Sequence, residues 1–239
     1  MTSPIKIITF RELGSFFDSL TAYILIIAFL GFSGFFTWIY GGDIFIRKEA
    51  DLQVFFSIAK WTLFFFIPAL TMKMIAEEKK TGTIELLLTK AVSPRQLVLG
   101  KFFACLLLVL ITLGFTLVYY VSVSKLGNID HGATVSGYLG LILMSAAYIS
   151  IGLFASSLTN NQIVAFLLAL FIGIFFHFIF DVLSNSSRGI LGTLFLNLSV
   201  NEHVESISRG VIDTKDLIYF ISLTLLGLFA AEWLISRKK

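Results

Sequence analysis

The sequence predicts an all-α integral membrane protein with six transmembrane helices. Of its 239 residues, 57% are hydrophobic and only 14% are charged, whereas soluble domains carry about 25% charged residues. The apolar residues form continuous runs close to the length of about 20 residues that a helix needs to cross a bilayer. These runs lack the alternation of apolar and polar residues that the strands of a membrane barrel would show.

Six apolar runs are the predicted spans, and with their loops they form a single membrane domain over residues 1–239. The predicted spans are 21–40, 54–74, 102–123, 135–158, 163–180 and 217–235. Pro68 predicts a kink in the second span, because a proline has no N–H for the helical hydrogen-bond ladder. In the fourth span, the pairs Ala146/Ser150 and Gly152/Ser156 favour close approach of a neighbouring helix.

Residues 1–20 precede the first span and predict an amphipathic helix that lies in the membrane interface. Four apolar residues recur at helical spacing on one face of this segment: Phe10, Leu13, Phe17 and Leu20. The opposite face is polar: Arg11, Glu12, Ser15, Asp18 and Ser19. The segment lacks the apolar core of a signal peptide. A polar tail with frayed structure is the alternative interpretation.

The distribution of lysine and arginine predicts the orientation of the spans. One side of the predicted membrane carries Lys6, Arg11, Lys73, Lys79, Lys80, Lys90, Arg95, Lys101, Arg237, Lys238 and Lys239. The other side carries Arg47, Lys48, Lys125, Arg188, Arg209 and Lys215. Cytoplasmic loops are enriched in these residues, so we expect the richer side, which holds both termini, to face the cytoplasm.

Ionisable residues within spans are functional candidates, and this sequence has few of them. We expect Lys60 to extend towards the outer interface. His177 and Asp181 are spaced to share a helical face, where they could hydrogen-bond to each other. Pro68 is a further candidate for a pathway or an interface. We predict no catalytic residues, no metal site and no nucleic-acid partner; an ion-coupled carrier or an intramembrane enzyme would require more buried polar chemistry.

The loop between the second and third spans carries the strongest local signals. Gly82 should end the helix that extends from the second span, and Thr83 should cap a short helix over residues 83–89. The apolar edge of this helix would be Ile84, Leu87 and Leu88. Ser93, Pro94 and Gln96 predict a capping box at the start of the next helix. A short, firmly bounded helix at the membrane surface suits docking to a partner; a passive connecting loop is the alternative.

This loop resembles the coupling region of ABC-2 transporter permeases, whose pattern is E-E-[RK]-x-x-G-[ST]-x-E-x-L-[LM]. The matching residues are Glu77, Glu78, Lys79, Gly82, Thr83, Glu85, Leu87, Leu88 and the later Ser93, with Thr89 closing the helix. A second short turn of that family resembles Ser157–Gln162 and includes Thr159, Asn160, Asn161 and Gln162. Within this class, residues 64–72, 83–89 and 202–213 most resemble the gliding-motility (Gld) permease subunits of Bacteroidetes-type bacteria.

The resemblance implies a non-catalytic subunit of a bacterial inner-membrane transporter. It implies two copies of an ATP-binding subunit as partners, with ATP and Mg²⁺ bound there and not on this chain. It also implies pairing with a second permease that has a periplasmic portion, or with a second copy of this chain, within membrane lipid. We expect surface or re-entrant helices in the outer segment 181–215. An exporter of a lipid, a drug or a copper-enzyme maturation substrate is the alternative function.

Overall fold

The computed structural model describes residues 3–40, 49–85, 92–187 and 189–237. The regular structure within these ranges is helical. The helices are α1 (Pro4–Asp18), α2 (Thr21–Trp38), α3 (Gln53–Lys80), α4 (Pro94–Phe115), α5 (Leu117–Leu126), α6 (His131–Leu158), α7 (Gln162–Ile174), α8 (Phe180–Ser186), α9 (Ile190–Leu196), α10 (Val200–Ser208) and α11 (Thr214–Ser236). A π-helical segment, Phe175–Ile179, joins α7 to α8.

Six helical stretches in the described ranges are long and apolar enough to cross a membrane, with mean hydropathy between 1.7 and 2.8. This result confirms the predicted fold class. Two of the stretches are composite, because α4 continues into α5 and α7 continues through the π-helical segment into α8. The second stretch runs on to Lys80, beyond the predicted end at residue 74, since Ile75 and Ala76 are fully buried against the neighbouring helices.

Helix α6 forms the centre of the bundle and packs against α3, α4, α7, α10 and α11. Its small residues explain this position, because they allow two neighbouring backbones to approach closely. A Cβ atom added at Gly152 would lie 2.0 Å from Thr71 Oγ1 of α3. A Cβ atom added at Gly227 of α11 would lie 2.5 Å from Ser150 Oγ. The small residues predicted to mediate close approach therefore do so on two sides of α6.

The hydroxyl of Ser156 gives α6 a further polar link to α3. It accepts hydrogen bonds from the backbone N–H groups of Ile75 at 3.1 Å and Ala76 at 3.0 Å. It also donates to the carbonyl oxygen of Met72 at 2.9 Å. Because three backbone groups share one buried side chain, the last part of α3 is held in a fixed position relative to α6.

Helix α1 packs against α4, a contact that the sequence did not predict. The buried residues of α1 are Ile8, Thr9 and Phe16, whereas Phe10 and Leu20 are 66% and 74% exposed. The reason is the contact with α4, where Gly100 leaves space for the side chain of Ile8. Helix α1 thus has one face against the protein, and the exposed apolar side chains are free to contact lipid.

Alternating helix directions give the bundle two ends, which we name the α1 end and the α10 end. The α1 end contains α1, the C-terminal ends of α3, α6 and α11, and the N-terminal ends of α4 and α7. The α10 end contains the opposite ends of these helices and the short helices α8, α9 and α10. The segment predicted as outer, residues 181–215, forms these short helices, and α10 lies against α6.

Candidate coupling site and the opposite polar cluster

The C-terminal end of α3 is shaped by Gly82. Its φ of 71° lies in the left-handed region, which residues with a Cβ atom rarely adopt. The N–H of Thr81 closes the helix on Glu77 O at 2.9 Å, and a helical turn resumes at Thr83–Glu85. The predicted break at Gly82 is therefore confirmed.

The start of α4 has the predicted capping box. Ser93 Oγ accepts from the N–H of Gln96 at 3.2 Å, and Gln96 Oε1 accepts from the N–H of Ser93 at 3.0 Å, with Pro94 at the first helical position. Between these two boundaries, Ile84 is half-buried against the core and Glu85 is exposed. Leu87, Leu88 and Thr89 lie outside the described residues, so the full 83–89 helix stays a prediction.

A cluster of four charged side chains centred on the buried Lys101, which we call the Lys101 cluster, joins α1, α3 and α4. Lys101 Nζ lies 2.8 Å from Glu78 Oε1 and 3.4 Å from Glu12 Oε1. Arg11 pairs with Glu12 and lies 3.9 Å from Glu78. The Lys101 side chain is only 1% exposed. The two positive and two negative charges cancel, as the burial of charged groups requires.

The Lys101 cluster changes the interpretation of Glu78. Its side chain is 16% exposed and points towards α4, so it does not offer its charge directly to an external partner. Its second oxygen, Oε2, is buried with no hydrogen-bond partner among the described residues. Sequence reasoning missed this cluster, although Lys101 near the start of an apolar span was a signal that a buried carboxylate partner was needed.

Lys79 and the turn before α7 connect the end of α3 to the end of α6. Lys79 Nζ donates to the carbonyl oxygen of Ser157. In the turn, Thr159 Oγ1 accepts from the N–H of Asn161 at 3.1 Å, and Asn161 Oδ1 accepts from the N–H of Ile163 at 2.9 Å.

An open groove of about 870 Å³ runs along this turn. It is lined by Lys80, Leu158, Thr159, Asn160, Asn161, Gln162 and Ile163. The structure thus brings the two sequence-predicted sites, the end of α3 and the second turn, together at the α1 end.

At the α10 end, Lys60 is held by the outer segment in an arrangement that we call the Lys60 cluster. Lys60 Nζ donates to Asn201 Oδ1 at 2.5 Å and lies 3.7 Å from Glu205 Oε1. Asn201 Nδ2 donates to Asp181 Oδ2 at 3.1 Å, and Ser199 Oγ donates to the other oxygen of Asp181. Lys60 does extend towards this end, and its partners on α10 were not predicted.

The hydrogen bond that the spacing of His177 and Asp181 would allow does not form. His177 Nδ1 instead pairs with Tyr148 OH at 2.8 Å, and Trp61, Phe64 and Phe178 surround the ring. The physical reason is the π-helical segment, which inserts an extra residue into the turn. Asp181 is thereby rotated off the face that His177 occupies and bonds with α10.

A second buried pair fastens α10 to α11. His203 Nδ1 lies 2.6 Å from Asp216 Oδ1, and His203 Nε2 lies 3.1 Å from the carbonyl oxygen of Asn197. The ring stacks on Tyr219 at 4.0 Å, whose hydroxyl donates to Leu198 O at 2.6 Å. Because a carbonyl oxygen only accepts, Nε2 donates to Asn197 O, while Nδ1 faces the carboxylate of Asp216.

Beside α10 is a cavity of about 510 Å³ between α3, the start of α6 and α10. Its polar lining includes Lys60, Asp130, Glu205 and Arg209. The size is that of a typical small-molecule pocket. The Lys60 cluster forms one wall of this cavity.

Residues 48–235 match the family described as ABC-2 family transporter protein, which is most of the chain. The chain belongs to the ABC-2 family. Members of this family are membrane permease subunits, and ATP hydrolysis is carried out by a partner ATP-binding subunit. No curated protein matches the chain. The family match begins after α1 and α2, so the place of α1 in the site rests on its contacts with α3 and α4.

The family assignment decides between the function classes that the sequence left open. It favours the permease over the ion-coupled carrier and the intramembrane enzyme. It implies a division of labour in which this chain spans the membrane and a partner subunit hydrolyses ATP.

Proposed function

We propose that the α1 end is cytoplasmic and that the ATP-binding subunit docks there. The exposed surface at this end includes Gly82, Thr83 and Glu85 together with the groove along residues 158–163. The excess of lysine and arginine on this side of the spans supports the orientation. Two copies of the ATP-binding subunit, each with ATP and Mg²⁺, would serve one pair of permeases in the bacterial inner membrane.

In this proposal, residues 83–89 form the coupling helix. Its two flanking helices, α3 and α4, are joined directly to it and would receive the displacement when the ATP-binding subunits close. The Lys101 cluster ties both helices to α1 through side chains that are nearly excluded from solvent. A push on the coupling helix would therefore move α1, α3 and α4 together.

We further propose that the transporter serves gliding motility, on the basis of the residues that resemble gliding-motility permeases. The second permease of the pair would carry the periplasmic portion. Deletion of this chain's coding sequence from a gliding host should abolish spreading on agar, and a copy encoding this chain should restore it. Normal spreading by the deletion strain would refute the motility role and leave the permease role intact.

The observation that carries the docking proposal is the exposure of Gly82, Thr83 and Glu85 directly after α3, within an ABC-2 permease. The test is co-purification of an ATPase from native membranes in mild detergent. We expect wild type to retain the ATPase and a Glu85→Arg, Leu87→Asp variant to lose it while still folded. A Glu202→Arg variant at the α10 end is the control and should retain it.

Two results would contradict this proposal. Retention of the ATPase by the double variant would place the contact elsewhere on the chain. Absence of any ATPase from the wild-type preparation, together with ion-gradient-driven transport in proteoliposomes, would favour an ion-coupled carrier.

A further inference from the structure

A groove on the outside of the bundle lies between α4 and α11 at the α1 end. Its volume is about 330 Å³. Val98 and Leu228, which are 1% and 8% exposed, form its floor. Leu225 and Phe229 are 60% and 66% exposed and form its outer wall. This part of the groove is therefore apolar, opens to the outside of the bundle and is lined by two different spans.

Two charged side chains stand at the mouth of this groove. Arg95 is the second residue of α4, and Glu232 lies in the last turns of α11. Leu225 is seven residues earlier in α11, which corresponds to about 10 Å of helix. Polarity thus falls along the groove, from charged at the end of the bundle to apolar towards the middle of the spans.

Arg95 and Glu232 do not pair with each other, and no other side chain in the described ranges forms an ion pair with either. An arginine and a carboxylate at one groove mouth are complementary to a headgroup that carries both a phosphate and a primary ammonium group. Arginine binds phosphate through several N–H donors, and a carboxylate accepts from an ammonium group. The apolar floor then accommodates an acyl chain.

We propose that this groove binds an aminophospholipid, with its phosphate at Arg95, its ammonium group at Glu232 and one acyl chain along Val98 and Leu228. Phosphatidylethanolamine has this chemistry. Phosphatidylglycerol lacks the ammonium group, and the quaternary nitrogen of phosphatidylcholine has no N–H to donate to Glu232. The proposal concerns a site away from the coupling turn and does not depend on where the ATP-binding subunit docks.

The test is native mass spectrometry of the transporter complex, purified with this chain in mild detergent and exposed to equal amounts of the three phospholipids. We expect selective retention of phosphatidylethanolamine. Glu232→Gln should remove the preference for phosphatidylethanolamine over phosphatidylcholine, and Arg95→Gln should weaken binding of both. Each loss should be roughly tenfold, as for one charge-assisted hydrogen bond. Asp18→Asn and Arg237→Gln, at the same end but outside the groove, are the matched controls and should bind as wild type does.

Equal binding of all three lipids, unchanged in both groove variants, would overturn the proposal and indicate only the lipid that surrounds any membrane protein. A crosslink from the groove to another protein chain in the complex would also overturn it, because the groove would then be a subunit interface. A Leu99→Trp variant, which narrows the groove without changing its charges, should weaken phosphatidylethanolamine binding in a complex that remains monodisperse. Undiminished binding by this variant would place the lipid elsewhere.

Discussion

Replacing Lys101 by methionine removes the central charge of the Lys101 cluster and keeps a side chain of similar length. The cluster then carries a net charge of −1, because Glu12 and Glu78 retain their carboxylates and only Arg11 remains to neutralise them. Breaking a buried ion pair by removing one partner costs about 3–5 kcal/mol. The two carboxylates are about 15% exposed, so water relieves part of this cost, and we expect a loss of about 2–3 kcal/mol.

The assay is the thermal unfolding midpoint of the detergent-purified protein. We expect the midpoint of the Lys101→Met variant to fall by about 5–10 °C. Adding Glu78→Gln makes the cluster neutral again and should recover a large part of the loss, since the destabilisation arises from an unbalanced charge. Lys125→Met, at an exposed lysine, is the control and should change the midpoint by less than about 1 °C.

Two outcomes would refute this reasoning. A Lys101→Met variant as stable as wild type would show that the cluster does not hold α1, α3 and α4 together. A double variant less stable than the single variant would show that the loss does not come from an unbalanced charge.

Three further predictions follow from other contacts. Gly152→Ala should lower the yield of folded protein, because the new methyl group would lie 2.0 Å from the hydroxyl oxygen of Thr71 in α3. The same change at Gly31, where a Cβ atom would have no other atom within 4 Å, is the control and should leave the yield unchanged. Equal yields of the two variants would contradict the close packing at Gly152. Gly82→Ala should strain the left-handed turn by about 1 kcal/mol and lower the unfolding midpoint by only about 2–4 °C, while it reduces ATPase stimulation in the assembled complex. Unaltered stimulation would count against a role of this turn in coupling. His203→Ala should lower the unfolding midpoint, because it leaves the Asp216 carboxylate buried without a partner. Adding Asp216→Ala should restore part of the loss. No recovery in the double variant would show that the unpaired carboxylate is not the cause of the loss.

The sequence predicted the features that depend on local chemistry. The spans followed from apolar runs of membrane-spanning length. The break at Gly82 followed from the backbone conformation that glycine readily adopts. The capping box followed from Ser93 and Gln96, whose side chains bind backbone N–H groups only three residues away. Such signals need no knowledge of which helices are neighbours.

The contacts between distant parts of the chain could not be predicted in this way. Lys101 and Glu12 are 89 residues apart in the sequence, and Lys60 and Asn201 are 141 residues apart, so only the folded bundle brings them together. The packing of α1 against α4 was not predicted either, because Ile8 and Gly100 are far apart in the sequence. The π-helical segment left no signal in the spacing of residues, and it separated His177 from Asp181.

The central claim is that the ATP-binding subunit contacts the turn after α3. The most direct measurement is photocrosslinking in intact membranes, with a photoreactive amino acid in place of Glu85 or, as a control, in place of Ile190, which is 81% exposed at the α10 end. The account predicts a crosslink from position 85 to an ATP-binding subunit and no such crosslink from position 190. When ATP hydrolysis is blocked, the crosslink from position 85 should become stronger or move to another residue of that subunit. A crosslink to that subunit from position 190 but not from position 85 would contradict it.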